Sequence, residues 1–345
     1  EAVDALKHSA LTAYYTPEII PNAIYAALKE QHIEPIRLYE PSAGAGIFIT
    51  EAAGSFPALE SVNAAEKDIL TGRILSALAS SLPFPVTVQI KGLEETPATE
   101  KGQSDMVASN IPFGNLSVFD AAYQGSPVTS RIHNYFFAKG LDKLADGGLL
   151  AFLTTDAFLN TPGNETARKL LFTSADFISL SILPDNLMKD SDNVEAPSHL
   201  LIVQKNDHKE TFTEAEQLLL ETAELENENG KFRQNAYVVR HQELILADEV
   251  GPGTNQYGEP SQTIWHNGDF EDLRIPLQEQ IADGLDVNFN RARWNAIKPL
   301  WESQKLPRKA IEPTEKSGAK QFTFLQEPAN KTAKLSVQLG LFDQA

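Results

Sequence analysis

Residues 1–205 alternate between short apolar runs and longer stretches whose apolar residues recur with helical spacing. Strand patterns are predicted at residues 37–40, 61–66, 86–90, 105–109, 149–154, 177–183 and 200–204. Helical patterns are predicted before and between them, at residues 17–29, 46–55, 68–79 and 133–144, the last ending in a turn at residues 146–148. This alternation is typical of an α/β fold, with a mostly parallel sheet of seven strands and helices on both faces.

The chemically distinctive residues of this region follow predicted strands. Residues 41–46 come directly after the first strand, Glu66 ends the second, and Asn110 ends the fourth. Ligands of open parallel sheets bind outside the carboxyl ends of the strands, at the point where the strand order reverses. The sequence therefore predicts a binding site at this edge of the sheet.

A glycine loop joins the first strand to the next helix: Glu40-Pro41-Ser42-Ala43-Gly44-Ala45-Gly46-Ile47-Phe48. Gly44 and Gly46 allow a tight turn and a close approach of the backbone to a ligand. The third glycine of the dinucleotide pattern is missing, and Glu40 would repel a pyrophosphate. An acidic group here suits a ligand that carries an amine or a sulfonium. A tight turn without a ligand is the alternative.

Glu66 ends the next strand, where a carboxylate can accept hydrogen bonds from both hydroxyls of a ribose. This holds for nicotinamide and for adenosyl cofactors alike. A solvent-exposed glutamate without a role is the alternative.

Residues 105–114, Asp-Met-Val-Ala-Ser-Asn-Ile-Pro-Phe-Gly, resemble the strand and catalytic loop of N6-adenine DNA methyltransferases, whose pattern is Asn/Asp-Pro-Pro-Tyr/Phe. Ile111 stands where that family has its first proline. The resemblance implies that the Asn110 side-chain oxygen and the Ile111 carbonyl accept the two N–H groups of a planar amine and stabilise its developing charge. Pro112 would stiffen the loop. Phe113 would stack on a base flipped out of the duplex.

The same resemblance implies S-adenosylmethionine as the cofactor, a Rossmann-like class I methyltransferase fold, and a set of cofactor contacts. Glu94 is the acid nearest to a position where the family usually has an acidic residue followed by Phe. The implied contacts are Tyr15, Thr16, Pro17, Glu40, Pro41, Ser42, Ala43, Gly44, Gly46, Phe48, Glu66, Lys67, Asp68, Glu94 and Asn110.

Later segments agree with the resemblance in their order. Residues 135–137, Tyr-Phe-Phe, and the pair Gly147-Gly148 resemble the following helix and turn, and residues 182–184, Ile-Leu-Pro, resemble the loop beside the target base. The likeness is greatest to the methylase part of large proteins of bacterial mobile elements and phages. We therefore expect DNA methylation of the restriction–modification type, and we expect this chain to belong to a larger polypeptide.

Three regions are expected. Residues 1–205 form the catalytic domain, residues 206–303 an acidic C-terminal extension that serves recognition or partner binding, and residues 304–345 a flexible basic tail. Within the extension, residues 213–229 are predicted to form a Glu-rich helix and residues 251–260 a loop. The tail contains residues 338–342, Gln-Leu-Gly-Leu-Phe, which resemble the peptide that binds the bacterial replication sliding clamp. A tail that packs on its own domain explains this segment equally well.

The charge distribution bears on the partners. The net charge is −18, and residues 206–286 carry 18 acidic but only 5 basic side chains. Phosphate contacts need Lys and Arg, so the charge leaves double-stranded DNA open as a partner without arguing for it. The chain has no cysteine and seven scattered histidines, which predicts no metal site. It has no long apolar run, so we expect no membrane contact and a cytoplasmic location.

The leading hypothesis is transfer of a methyl group from S-adenosylmethionine to N6 of a flipped-out adenine in DNA, by direct displacement. Methyltransferases that act on protein glutamine or on an RNA base share the same loop, because they also methylate a planar amine. A nicotinamide-dependent oxidoreductase is disfavoured by Glu40 and by the missing glycine. An inactive methyltransferase-like module that binds DNA or a partner also remains open.

Overall fold

The computed structural model describes residues 16–188, 195–255 and 258–304. The helices are α1 (Ile19–Glu30), α2 (Ile47–Ser55), α3 (Ile69–Ala79), α4 (Ile132–Lys143), α5 (Ala157–Asn160), α6 (Glu165–Thr173), α7 (Glu214–Leu220), α8 (Ala236–Arg240), α9 (Arg274–Asn288) and α10 (Arg291–Gln304). The strands are β1 (Arg37–Glu40), β2 (Ser61–Glu66), β3 (Val86–Ile90), β4 (Ser104–Asn110), β5 (Leu144–Thr155), β6 (Ala175–Leu183), β7 (Ser198–Lys205), β8 (Thr222–Asn227), β9 (Gly230–Asn235), β10 (Glu249–Thr254) and β11 (Pro260–Trp265).

Seven strands form one sheet in the order β3-β2-β1-β4-β5-β7-β6. The first five strands of this order pair in parallel, and β7 runs antiparallel to both β5 and β6. The chain builds outward from β1 to β3 and then returns to the other side of β1 with β4. This reversal opens a crevice at the carboxyl ends of β1 and β4. The predicted mostly parallel α/β sheet of seven strands is confirmed.

Side chains of the central strands point alternately to two apolar layers, as strand geometry requires. Leu38 and Met106 pack in the first layer with α1, α2 and α9, whereas Tyr39 and Val107 pack in the second layer with α4 and α6. Helices therefore cover both faces of the sheet. No helix within the described residues is both long and apolar enough to cross a membrane.

The last two helices pack against the sheet. Helix α9 lies against α1 and β6, and its glycine, Gly284, comes so close to β6 that an added Cβ would lie 2.7 Å from the Ile178 carbonyl oxygen. Trp301 of α10 packs on the start of β5, and the Arg37 guanidinium lies 4.2 Å from the centre of its indole ring. The division of the chain at residue 205 stays a prediction, but residues 274–304 contribute to the cores around the sheet.

The helix predicted at residues 213–229 is wrong. Thr213 and Glu216 form a capping box that starts α7, but this helix ends at Leu220. Residues 222–227 alternate along β8 and pair with β9 as a hairpin, whose turn ends at Gly230 with φ +125°. The alternating residues and the Asn229-Gly230 step outweigh the helix propensity of the glutamates.

Two smaller predictions also fail. The loop expected at residues 251–260 contains most of β10, which pairs with β11 in a two-stranded ribbon. Pro252 is tolerated there because both strands of such a ribbon are edge strands. The turn expected at residues 146–148 lies inside β5, which starts at Leu144 and is bulged against β4, with Gly147 at φ +93°.

Candidate active site

The glycine loop and the Asn110 loop meet at the reversal of strand order. Leu38 pairs with Met106 and Tyr39 with Val107, so the carboxyl ends of β1 and β4 are neighbours. The Ser109 hydroxyl donates to the Ser42 carbonyl oxygen at 3.1 Å and joins the two loops directly. The predicted catalytic and cofactor residues are thus brought together by pairing within the sheet.

Gly44 and Gly46 both have backbone conformations that favour glycine, with φ of +52° and +93°. A Cβ on Gly46 would lie 2.5 Å from Leu75 Cδ1, so this glycine is needed for packing of the loop on α3. A Cβ on Gly44 would meet nothing within 4 Å. Gly44 therefore borders an open space at the crevice.

Glu40 is the buried acid of this crevice, with 1% of its surface exposed. None of the described residues donates a hydrogen bond to its Oε2. Burial raises the pKa of the Glu40 carboxyl well above its usual range, and the charge of Glu66 raises it further. A cationic ligand at this end of β1 would supply the missing partner.

Glu66 is held at the end of β2 by the backbone. Its Oε2 accepts from the Gly44 N–H and its Oε1 from the Asp68 N–H, each at 2.7 Å. Burial raises the pKa of Glu66, although these hydrogen bonds oppose the shift. The carboxylate is therefore oriented before any ligand binds, and its remaining lone pairs can accept hydroxyl groups.

The neighbouring predicted contacts share this corner. Asp68 caps α3 by accepting from the Thr71 N–H at 2.8 Å. The Lys67 ammonium lies 3.0 Å from Oε1 of Glu94, in the turn after β3. The structure thus brings Lys67, Asp68 and Glu94 beside Glu66.

The other predicted cofactor residues differ in their placement. Pro41, Ala43 and Phe48 are buried in the loop and in α2, where the Phe48 carbonyl oxygen accepts from the Tyr25 hydroxyl at 2.9 Å. Thr16 and Pro17 lie just before α1, the helix that carries Tyr25. Tyr15 and the proposed clamp peptide lie outside the described residues.

Asn110 ends β4 with its side-chain oxygen buried, and no described group donates to that oxygen. The next residue, Ile111, is 1% exposed, and its N–H donates to the Leu153 carbonyl oxygen at 3.0 Å. A proline at position 111 has no N–H and could not make this bond. The departure from the double-proline pattern therefore extends the pairing of β4 with β5 by one residue.

Phe113 borders a cavity of about 850 Å³ that sequence reasoning missed. One wall comes from the carboxyl ends of β5 and β6, and the facing wall comes from the hairpins β8–β9 and β10–β11. Polar residues of the first wall and its surroundings include Arg131, His133, Thr155, Asp156, Asp185, Glu195, Ser198 and His199. Asp156 and Asp185 gave the available signal, because they come just after the carboxyl ends of β5 and β6.

Two acids of this cavity, Asp156 and Asp185, have raised pKa values. The pKa of Asp185 is raised to about 7, because burial and the charges of Asp156 and Glu195 outweigh the opposing hydrogen bond from the Ile264 N–H. Burial also raises the pKa of Asp156. In the part of the chain that the structure describes, no group of three His, Asp or Glu side chains is placed to hold a metal ion. The cavity is therefore lined in part by buried carboxyl groups that ionise less readily than free ones.

No family model matches the chain. A stretch of 180 residues, 50% of the chain, is 27% identical to the Defense against restriction protein B of Escherichia phage P1 and covers 7% of that protein. A putative class I S-adenosylmethionine-dependent methyltransferase from Listeria monocytogenes superposes with a TM-score of 0.50 and 19% identity, over 59% of this chain and 64% of the other.

The chain has the class I methyltransferase fold. The methyltransferase subunit of a type I restriction-modification system from Streptococcus thermophilus is also similar, with a TM-score of 0.49 and 15% identity over 81% of this chain and 60% of that one. The chain spans less than two thirds of the length of each of these three relatives. The predicted Rossmann-like fold is confirmed, and the phage relative agrees with the likeness to phage and mobile-element proteins.

Proposed function

We propose that this chain is an S-adenosylmethionine-dependent DNA methyltransferase that modifies N6 of an adenine flipped out of the duplex. The observation that carries the proposal is the buried side-chain oxygen of Asn110, to which no described group donates. The preceding residue, Ser109, connects this position to the glycine loop, because its hydroxyl donates to the Ser42 carbonyl oxygen. A buried acceptor without a donor is costly and points to a group supplied by a ligand.

The residues of the crevice fit the cofactor. Glu40 offers its buried Oε2, to which no described residue donates, to a cationic amine. Glu66 offers an oriented carboxylate to ribose hydroxyls, and Gly44 leaves room beside both. Lys67, Asp68 and Glu94 would lie around the adenine. When bound, S-adenosylmethionine supplies an electrophilic methyl group, whose bond to sulfur breaks as the bond to the acceptor nitrogen forms.

The protein would act on the acceptor amine. Asn110 Oδ1 and the Ile111 carbonyl would accept its two N–H groups and stabilise the positive charge that develops on nitrogen before a proton is lost. These acceptors are held in place by β4 and by the bond from Ile111 to Leu153. Phe113 would stack on the base at the mouth of the cavity.

The identity of the methyl acceptor, adenine in DNA, is the more specific part of the proposal. It is supported by the likeness of residues 105–114 to the N6-adenine loop and by the name of the phage relative, which concerns restriction. The net charge of −18 and the acids of the cavity favour a second candidate, methylation of another planar amine such as a protein glutamine. Association with the rest of a larger polypeptide, which would supply basic DNA contacts, stays a prediction.

The decisive experiment combines calorimetry with tritiated-methyl transfer onto unmethylated DNA, RNA and a mixture of proteins. We expect Asn110→Ala to keep its affinity for S-adenosylmethionine and to lose methyl transfer by about a hundredfold or more, because Asn110 acts on the acceptor. Sequencing of host DNA after expression would locate modified adenines.

Each outcome separates one hypothesis from the others. A chain that fails to bind S-adenosylmethionine is not a methyltransferase. Binding without transfer to any acceptor identifies an inactive module, and transfer to protein or RNA alone identifies the second candidate. An unchanged rate in Asn110→Ala would show that the role assigned to this side chain is wrong.

A further inference from the structure

His133 is a buried ring at the edge of the cavity that contains Phe113. It lies at the start of α4 with 1% of its surface exposed, and its ring packs edge-on against Phe158 with 6.2 Å between the ring centres. None of the described residues forms a hydrogen bond with its Nδ1. A buried polar atom without a partner at the wall of a cavity points to a group that a ligand supplies.

Asn164 determines which nitrogen of His133 carries the proton. The Asn164 Nδ2 donates to the Ala157 carbonyl oxygen at 2.7 Å, and since a carbonyl only accepts, this contact identifies the nitrogen of the amide. The amide oxygen accepts from Asn134 Nδ2 at 2.9 Å, in agreement with that orientation. The second hydrogen on Asn164 Nδ2 then faces His133 Nε2 at 3.2 Å. Nε2 is therefore the acceptor, and Nδ1 of the neutral ring carries the hydrogen.

The ring stays neutral at physiological pH. Burial and, to a smaller extent, the charge of Arg131 together lower the pKa of His133 to about 4. A second proton on Nε2 would also oppose the N–H of Asn164. The cavity thus contains a permanent donor, His133 Nδ1–H, that does not titrate in the working range of an enzyme.

We propose that His133 Nδ1–H donates a hydrogen bond to a ring nitrogen of the acceptor base and so selects a purine whose amine reaches Asn110. The inference rests on the proposed function. Asn110 and Ile111 supply acceptors for the N–H groups of the amine. The ring nitrogens of adenine are themselves acceptors, so their recognition needs a donor from the protein. His133 borders the same cavity as Phe113 and meets that need. His133 is thus a specificity-determining residue.

The test uses duplexes that contain one methylation site, located beforehand by sequencing modified adenines. The target adenine is replaced by its 1-deaza, 3-deaza or 7-deaza analogue, each of which lacks one ring nitrogen. We expect one analogue to lower kcat/KM by about tenfold in the unaltered protein. We expect His133→Phe to lower kcat/KM for adenine by a similar factor and to show no further loss with that analogue.

Controls separate recognition from folding. His133→Phe keeps a ring against Phe158 but leaves the Asn164 N–H without its acceptor, so its melting temperature should fall while its affinity for S-adenosylmethionine stays near that of the unaltered protein. His133→Asn offers an amide N–H near the position of Nδ1 and should recover part of the lost activity.

Three results would overturn the proposal. The first is an unaltered protein whose kcat/KM is the same for adenine and for all three analogues. The second is a fall in kcat/KM for His133→Phe that multiplies with the fall caused by each of the three analogues. The third is an unaltered protein that transfers no methyl group to DNA, which removes the proposed function as well, whereas the first two leave methyl transfer intact.

Discussion

Replacing Gly44 by alanine separates the stability of the glycine loop from its proposed contact with the cofactor. At φ +52° an alanine is strained by about 1–2 kcal/mol, which corresponds to a fall in melting temperature of about 2–4 °C for each kcal/mol. The new methyl group would enter the open space beside Glu40 and Glu66, since it would meet no protein atom within 4 Å. If the cofactor occupies this space, overlap costs about 1–3 kcal/mol, or about five- to 150-fold in affinity.

Gly125 provides the matched control. It has φ +79°, and an added Cβ would also meet nothing within 4 Å, but it lies in an exposed turn after β4. Gly125→Ala should therefore lose a similar amount of stability and keep full affinity. Calorimetry with S-adenosylmethionine and thermal unfolding of both variants give the comparison. Equal affinity in Gly44→Ala and in the unaltered protein would refute the placement of the cofactor against this loop.

Two further predictions concern the buried acid and the last helices. Because the pKa of Glu40 is raised, its pairing with a cation requires loss of a proton, so the affinity for S-adenosylmethionine should rise with pH. Glu40→Gln should bind S-adenosylmethionine more weakly, and its affinity should not rise with pH. A rise that persists in Glu40→Gln would contradict the assignment. Gly284→Ala should lower the free energy of unfolding by about 1–3 kcal/mol through its clash with β6, whereas Gly54→Ala, at an open helix position, should raise it by up to about 1 kcal/mol. Denaturant unfolding of both variants checks this, and equal stabilities would show that α9 does not pack as described.

Sequence periodicity predicts the sheet well where packing and pattern agree. Strands β1 to β4 lie at the expected positions because each is a short run of strand-forming residues, and β2 and β4 also end at a distinctive residue, Glu66 or Asn110. The same reasoning predicts that these residues meet, since parallel strands end at one edge. It does not predict the hydrogen bond from Ser109 to Ser42, which depends on side-chain orientation.

The errors lie where local propensity and tertiary pairing conflict. Residues 222–227 contain good helix formers, yet they pair as β8 because the turn before Gly230 returns the chain onto them. The cavity was missed because its walls are far apart in sequence. Asp185 and Ile264 are joined through backbone and carboxylate hydrogen bonds, and no periodic pattern relates two such positions.

Strand β4 divides the carboxyl edge of the sheet into two halves that come from different parts of the chain. The glycine loop and Glu66 come from residues before β4, whereas the cavity walls come from residues after it and include the hairpins β8–β9 and β10–β11. Insertions or exchanges in the hairpins would therefore reshape the cavity while the glycine loop and Glu66 stay unchanged.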